Sequence, residues 1–235
     1  AGHDINYISL TGGLHAIGEA GRAPVPPLNL VGDFGGGSLY LVMGVLAALV
    51  ERQTSGQGQV VDAAMVDGAS SLLAMTLSFF SSGIWRDERG ANMLDGGTPY
   101  YRTYETADGK YMAVGCLEPQ FFAAFAERIG VELPGQGERD RYPEMAEKIA
   151  AAFRGKTRDE WTAIYDGTDA CVTPVLTLAE ARHDPHLAAR GSQIEDGGLV
   201  APGAAPRFSR TPAQPGPAAA APGDLDPETR ARWGL

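Results

Sequence analysis

A histidine and an aspartate stand side by side, His3 and Asp4, in the stretch AGHDINYISLTGG. An imidazole gives and takes a proton near neutral pH, and a carboxylate on its second nitrogen sets the tautomer that does so. A further carboxylate, Asp33, sits in LVGDFGGGS, where glycines let backbone come close to a ligand and a helix start favours negative charge. The plainer role for Asp33 is to cap a turn. GCLEPQ places Cys116 and Glu118 just after a strand-like run, at a junction from which side chains reach into clefts. No histidine neighbours Cys116, and a small buried thiol is the commoner fate of such a residue. The plain reading of Glu118 is a helix-start acid meeting the helix dipole. EARHDPH gathers Glu180, His183, Asp184 and His186, but Pro185 interrupts the helix that metal spacing needs, so no metal site is expected. The Asp-Phe-Gly inside GDFGGGS lacks the catalytic loop and strand lysine of a kinase, which excludes that chemistry.

Other elements must position these groups. GDFGGGS reads as a loop with Ser38 as N-cap, leading into a helix. Leu39, Val42, Met43, Leu46, Leu49 and Val50 keep helical spacing, and TSGQG stops the helix. QVVDAAM reads as a short strand, and MVDGASSLLAMTLSFFSSG as a second, mostly buried helix. Residues 84–100 have no clear period and read as a linker ending in the breaker cluster GGTP. In YRTYETADGKYMAVGCL the Asp108-Gly109 pair between two alternating runs predicts a hairpin. EPQFFAAFAERIG, with Pro119 in its first turn, and the RYPEMAEKIAAAFRGKT and TRDEWTAIYDG segments predict three amphipathic helices. These elements divide the chain into 1–83, a linker at 84–100, a small α+β domain at 101–180, and a return segment at 181–235 whose Pro/Ala-rich part reads as an extended surface path.

Length and composition set bounds. The 235 residues are 44% hydrophobic and 20% charged, enough to build a real core, and the net charge is −10. Such a surface repels nucleic acid. Two cysteines without a CxxC spacing suit a reducing compartment, and the expected location is cytoplasmic. The run LYLVMGVLAALV is about half the roughly 20 residues of a membrane span, so no membrane partner is expected.

GHDINYISLTG, PPLNLVGDFGGGS, GQGQVVDAAMVDG, ANMLDGGTPYYRTYETADGKYMAVGCLEPQF and CVTPVLTLAEA, in this order, resemble the α-methylacyl-CoA racemases of the family III CoA-transferase superfamily. The resemblance runs along nearly the whole chain. It implies an α/β fold with a partial Rossmann-like large domain, a small α+β domain and long linkers, two chains interlocking as a homodimer. It pairs His3 with Asp33, and Asp4 with Glu118, as the catalytic groups, with Glu118 supplied across the interface. Gly2, Ile5, Asn6 and Tyr7, around the catalytic pair, are the expected substrate-binding residues. The substrate is an acyl-CoA thioester, and no separate cofactor is expected, because CoA is part of the substrate. The family also carries an N-terminal part that holds the first strands and much of the grip on the CoA phosphates, so about a hundred further residues are expected upstream of Ala1.

The implied reaction inverts the α-carbon of a 2-methyl-branched acyl-CoA. Two acid/base groups on opposite faces are needed, one protonated while the other is not, with donors for the enolate oxygen. Backbone N–H groups near Asp4 are the expected donors, and Met43, Met65, Met75 and Met93 offer an adaptable apolar wall. Two alternatives stay open: a CoA-transferase that works through an aspartyl anhydride on Asp4, and a catalytically inactive dimer fragment.

Overall fold

The computed structural model describes residues 1–196, 198–213 and 226–234, in two compact units, Ala1–Val175 and Leu176–Leu235. The first unit begins with two short helices, α1 (Asp4–Leu10) and α2 (Gly13–Ala16). The glycine-rich stretch, expected as a loop, is instead a π-helical segment, Leu30–Ser38, running directly into α3 (Leu39–Ser55). Ser38 is therefore not an N-cap: its backbone is already helical, and its hydroxyl donates to the Asp33 carbonyl at 2.8 Å. Gly56, in the left-handed region at φ 73°, ends the helix.

The expected second helix is two, α4 (Met65–Leu72) and α5 (Ala74–Ser81), parted at Leu73. It is also not mostly buried: only Gly68 and Ala69 are. Those small residues let α4 lie backbone to backbone on the π-helical segment. A Cβ at Gly68 would overlap the Gly36 carbonyl, and one at Gly36 would lie 2.6 Å from the Ala69 nitrogen.

QVVDAAM is not a strand. Residues 56–64 carry neither helix nor strand, because no segment among the described residues pairs with them, and Val60 is 94% exposed. The outward side chains of α3, from Leu39 to Val50, are exposed as well. Counting only unbroken apolar residues underestimates this region: the helical stretch Leu30–Ser55 has 26 residues and contains an 18-residue window of mean hydropathy 1.6, long and apolar enough to span a bilayer by length and composition. Its first turns are committed within the protein, packed against α1 and α4.

Residues 84–100 lack regular structure but are tied by side chains. The Asp95 carboxylate accepts from the Ala91, Asn92 and Gly97 amides and from Asn92 Nδ2, while Asn92 Oδ1 accepts from the Arg86 amide at 2.7 Å.

The predicted hairpin forms as β1 (Tyr101–Glu105) and β2 (Tyr111–Gly115), pairing Tyr101 with Gly115 and Glu105 with Tyr111. Gly109, at φ 70°, supplies the turn. A third strand, β3 (Val172–Pro174), adds antiparallel to β2; three residues are too few to show a period in sequence. The helices α6 (Pro119–Arg128), α7 (Tyr142–Phe153) and α8 (Arg158–Tyr165) cover one sheet face. Tyr104, Met112 and Val114 meet Phe122, Phe125, Met145, Ile149, Phe153 and Trp161 there, the main buried core of the chain. Met145, Ile149 and Phe153 recur every fourth residue, the stripe a core-facing helix shows. The opposite sheet face borders an open cavity of about 860 Å³, lined by Leu94, Tyr101, Arg102, Ala113 and Cys171 among others.

The second unit holds α9 (Leu178–Ala181), α10 (Pro185–Arg190), the hairpin β4 (Gln193–Asp196) and β5 (Leu199–Pro202), and α11 (Pro227–Trp233). Glu180 belongs to the capping box of α9, and Asp184 caps α10 by accepting from the Leu187 amide at 2.9 Å. Two of the four EARHDPH groups thus serve helix starts. Residues 203–213 of the Pro/Ala-rich path carry neither helix nor strand, and 214–225 lie outside the described residues.

Candidate active site

Asp4 opens α1 and is 6% exposed. One carboxylate oxygen, Oδ2, accepts from the Asp33 amide at 2.7 Å; the other, Oδ1, is buried with no hydrogen-bond partner among the described residues. The π-helical segment presents that amide, and Gly32 makes the approach possible, since a Cβ there would lie 2.5 Å from Asp4 Oδ2 and 2.9 Å from Met65 Sδ. Among the four methionines, Met65 thus flanks Gly32 together with the Asp4 carboxylate, while Met43, Met75 and Met93 are exposed.

The structure joins Asp4 to the Asp33 segment through the backbone. It does not join His3 to Asp33: no hydrogen bond or ion pair links them, and the Asp33 carboxylate accepts from Asn29 Nδ2 at 3.2 Å. His3 occupies the N-cap of α1 with an exposed side chain. Its amide donates to Asn6 Oδ1 at 3.0 Å, and its carbonyl takes the Asn6 and Tyr7 amides. Two of the four expected substrate-binding residues therefore help build the helix start. The Asp4 and Ile5 amides, in the first turn, have no protein acceptor among the described residues. Gly2 packs under Asn6 and Tyr7, where a Cβ would sit 3.1 Å from Asn6 Cβ.

Glu118 is the N-cap of α6, on the β2–α6 junction, with Pro119 at the first helical position as expected. Its carbonyl accepts from the Phe121 and Phe122 amides; its exposed carboxylate has no hydrogen bond or ion pair among the described residues, and none to His3, Asp4 or Asp33. Cys116, two residues earlier, is fully buried, and burial pushes its thiol up to about 12. That makes it an inert core residue rather than a nucleophile. Cys171, left-handed at φ 51°, lines the open cavity; partial burial, then the charges of Glu118 and Asp169, raise its thiol. Gly115, three residues before Glu118, lines the same cavity. Two features escaped the sequence reading, the Asn92–Asp95 tie and Gln136, which sits in a PGQG turn that only its flanking glycines marked.

An aspartate with one oxygen fixed on an amide and the other free of hydrogen bonds, next to a histidine and a glycine-rich helix, has the kinds of group that proton or acyl transfer uses. The chain belongs to the family described as CoA-transferase family III, whose profile matches residues 1–224. It is 52% identical over 219 residues to a mouse (Mus musculus) protein named alpha-methylacyl-CoA racemase, covering 92% of this chain and 58% of that protein. To the human (Homo sapiens) protein of the same name it is 48% identical, over 92% of this chain and 57% of the relative. The chain thus spans somewhat over half the length of these relatives. A crystal structure of a hypothetical protein from Mycobacterium tuberculosis shares the fold at a TM-score of 0.69, 23% identity, over 90% of this chain and 58% of the other.

Proposed function

We propose that the protein inverts the α-carbon of 2-methyl-branched acyl-CoA thioesters by 1,1-proton transfer through an enolate. The observation that carries this reading is the His3–Asp4 pair at the start of α1, with Asp4 seated on the Asp33 amide, in a chain about half identical to proteins named as racemases of this kind. One base removes the α-proton from one face, the thioester oxygen takes up the charge, and an acid on the other face returns a proton. His3 and Asp33 serve one face, Asp4 and Glu118 the other. Asp4 and Ile5 are the amides nearest this pair without an acceptor, and a donor to an enolate oxygen is worth roughly 3–4 kcal/mol in comparable oxyanion sites. Glu118 reaches the site from a second copy in an interlocked homodimer; its exposed, unpaired carboxylate supports this.

The large domain is Rossmann-like, and further chain completes it. The segment at 56–64, without helix or strand or a pairing partner among the described residues, and the exposed apolar side chains of α3 and α5 support that reading. The acyl-CoA is the only ligand required, in the cytoplasm, without a further cofactor or metal.

In D₂O the complete protein gives a 2-methylacyl-CoA that gains deuterium at C2 and loses its chirality, and His3→Ala slows one stereochemical direction. The open Asp4 Oδ1 favours a second reading, CoA transfer. There the carboxylate attacks the thioester carbonyl and CoA leaves as thiolate; the thiolate then attacks the aspartyl carbonyl of the mixed anhydride, releasing the acyl group as a free carboxylate, and the aspartyl-CoA thioester passes CoA to a second carboxylate by the same two steps in reverse. Hydroxylamine traps that anhydride and leaves a hydroxamate on Asp4.

A further inference from the structure

The Glu118 carboxylate has no partner among the described residues, so its place is set by its own backbone. That backbone is clamped. Gln136 Nε2, from the loop between α6 and α7, donates to the Leu117 carbonyl at 2.7 Å and to the Cys116 carbonyl at 3.3 Å. The Gln136 carbonyl in turn accepts from the Tyr142 hydroxyl at 3.1 Å, and that hydroxyl lies 2.6 Å from the hydroxyl of Tyr100. Tyr142 spends its only proton on Gln136, so Tyr100 is the donor of the pair. The ring closes where the Tyr100 carbonyl accepts from the Cys116 amide at 3.0 Å.

Three residues, Tyr100 just before β1, Tyr142 at the start of α7 and Gln136 in a loop, thus hold the two peptide units before Glu118. Tyr100 is buried and meets Tyr142 and Phe122 edge to face, with ring centres 5.7 and 5.5 Å apart, which fixes the ring's anchor in the core. Satisfying carbonyls in a strand-to-helix junction takes one donor; a bidentate amide held in turn by a tyrosine pair also fixes direction.

We propose that Gln136 is a positioning residue for Glu118, aiming the acid/base carboxylate by bridging the carbonyls of Cys116 and Leu117. The proposal rests on the acid/base role given to Glu118 above.

The test uses the complete protein and a 2-methylacyl-CoA in D₂O, with Gln136→Leu, Glu118→Gln and the double variant. Displacement of a reacting group by about 1 Å costs on the order of 10²-fold, so Gln136→Leu lowers kcat for C2 exchange about 10- to 100-fold with KM within about twofold. Gln136→Lys, which keeps a donor of similar reach, recovers most of the rate. Tyr142→Phe, a milder cut in the same ring, gives a smaller loss in the same direction and stands in if Gln136→Leu does not fold. In the Glu118→Gln background Gln136→Leu adds less than twofold. A parental rate for Gln136→Leu overturns the proposal, as does the same fold-loss with and without Glu118. A parental rate for Glu118→Gln overturns the acid/base reading instead; crystal structures of Gln136→Leu then decide the clamp alone, a displaced 116–118 backbone upholding it and an unmoved one overturning it.

Discussion

Replacing Gly32 by alanine tests how Asp4 is held. The added methyl would lie 2.5 Å from Asp4 Oδ2, 2.7 Å from its Cγ and 2.9 Å from Met65 Sδ. Ordinary contact begins at about 3.5 Å, so the carboxylate must retreat by roughly 1 Å. Its 2.7 Å hydrogen bond from the Asp33 amide does not survive that shift. Loss of a bond to a charged group costs about 1.5–3 kcal/mol, and crowding a packed site adds about 1–3 kcal/mol. A net loss of roughly 3 kcal/mol follows. At a urea slope of about 2 kcal/mol per M, the unfolding midpoint falls by roughly 1–2 M. The assay is urea unfolding followed by tryptophan fluorescence and circular dichroism. Gly58→Ala is the control: nothing lies within 4 Å of its Cβ position, so it stays within about 0.5 kcal/mol of the parent. Adding Asp4→Ala to Gly32→Ala removes the clash with the carboxylate and leaves only the contact with the flexible Met65 tip, so the two costs combine less than additively. A Gly32→Ala protein as stable as its parent, or strict additivity with Asp4→Ala, refutes this reasoning.

Two further outcomes follow from the charges. With native protein at pH 8, iodoacetamide labels Cys171, while Cys116, buried and pushed up to about 12, reacts only after unfolding. Glu118→Gln speeds Cys171 labelling, because a charge that raises that thiol is gone; an unchanged rate places Glu118 elsewhere. Glu144 is held at about 2, below an ordinary 4.5, first by Arg141, which pairs with it through two 2.9 Å hydrogen bonds, and then by Lys148. A depressed carboxyl stabilises the fold above its unfolded value and stops doing so as pH falls through the folded one, so this support to α7 fades between pH 4.5 and 2. A carboxyl NMR titration of Glu144 finds a midpoint near 2, and Arg141→Ala moves it upward.

Local rules made much of residues 101–165 legible. Asp108-Gly109 marked the hairpin, Pro119 the start of α6, and the spacing of Met145, Ile149 and Phe153 the core face of α7. Each of those signals is complete within a few residues. The first eighty residues read less well because their structure depends on contacts distant in sequence. GDFGGGS looked like a loop, yet Gly36 against Gly68 and Gly32 against Asp4 make it a packed π-helical segment. QVVDAAM has the composition of a strand but no partner in these residues, and a ladder needs two. The proposed acid/base groups stand out by residue type and resemblance. Their connections do not: Asp4 meets the backbone of Asp33 across 29 positions, and Gln136 reaches Leu117 across 19. Nothing local to either pair announces such a bond.

The central claim is proton transfer at the α-carbon, served by His3 and Asp4. One measurement addresses it most directly: incubate a single enantiomer of a 2-methylacyl-CoA with the complete protein in D₂O, and follow C2 deuterium by mass spectrometry and chirality by enantioselective chromatography. The account predicts deuterium at C2 together with racemisation, both greatly slowed in His3→Ala. Retained C2 hydrogen and configuration, with a hydroxamate on Asp4 after hydroxylamine, contradicts it and assigns the site to acyl transfer.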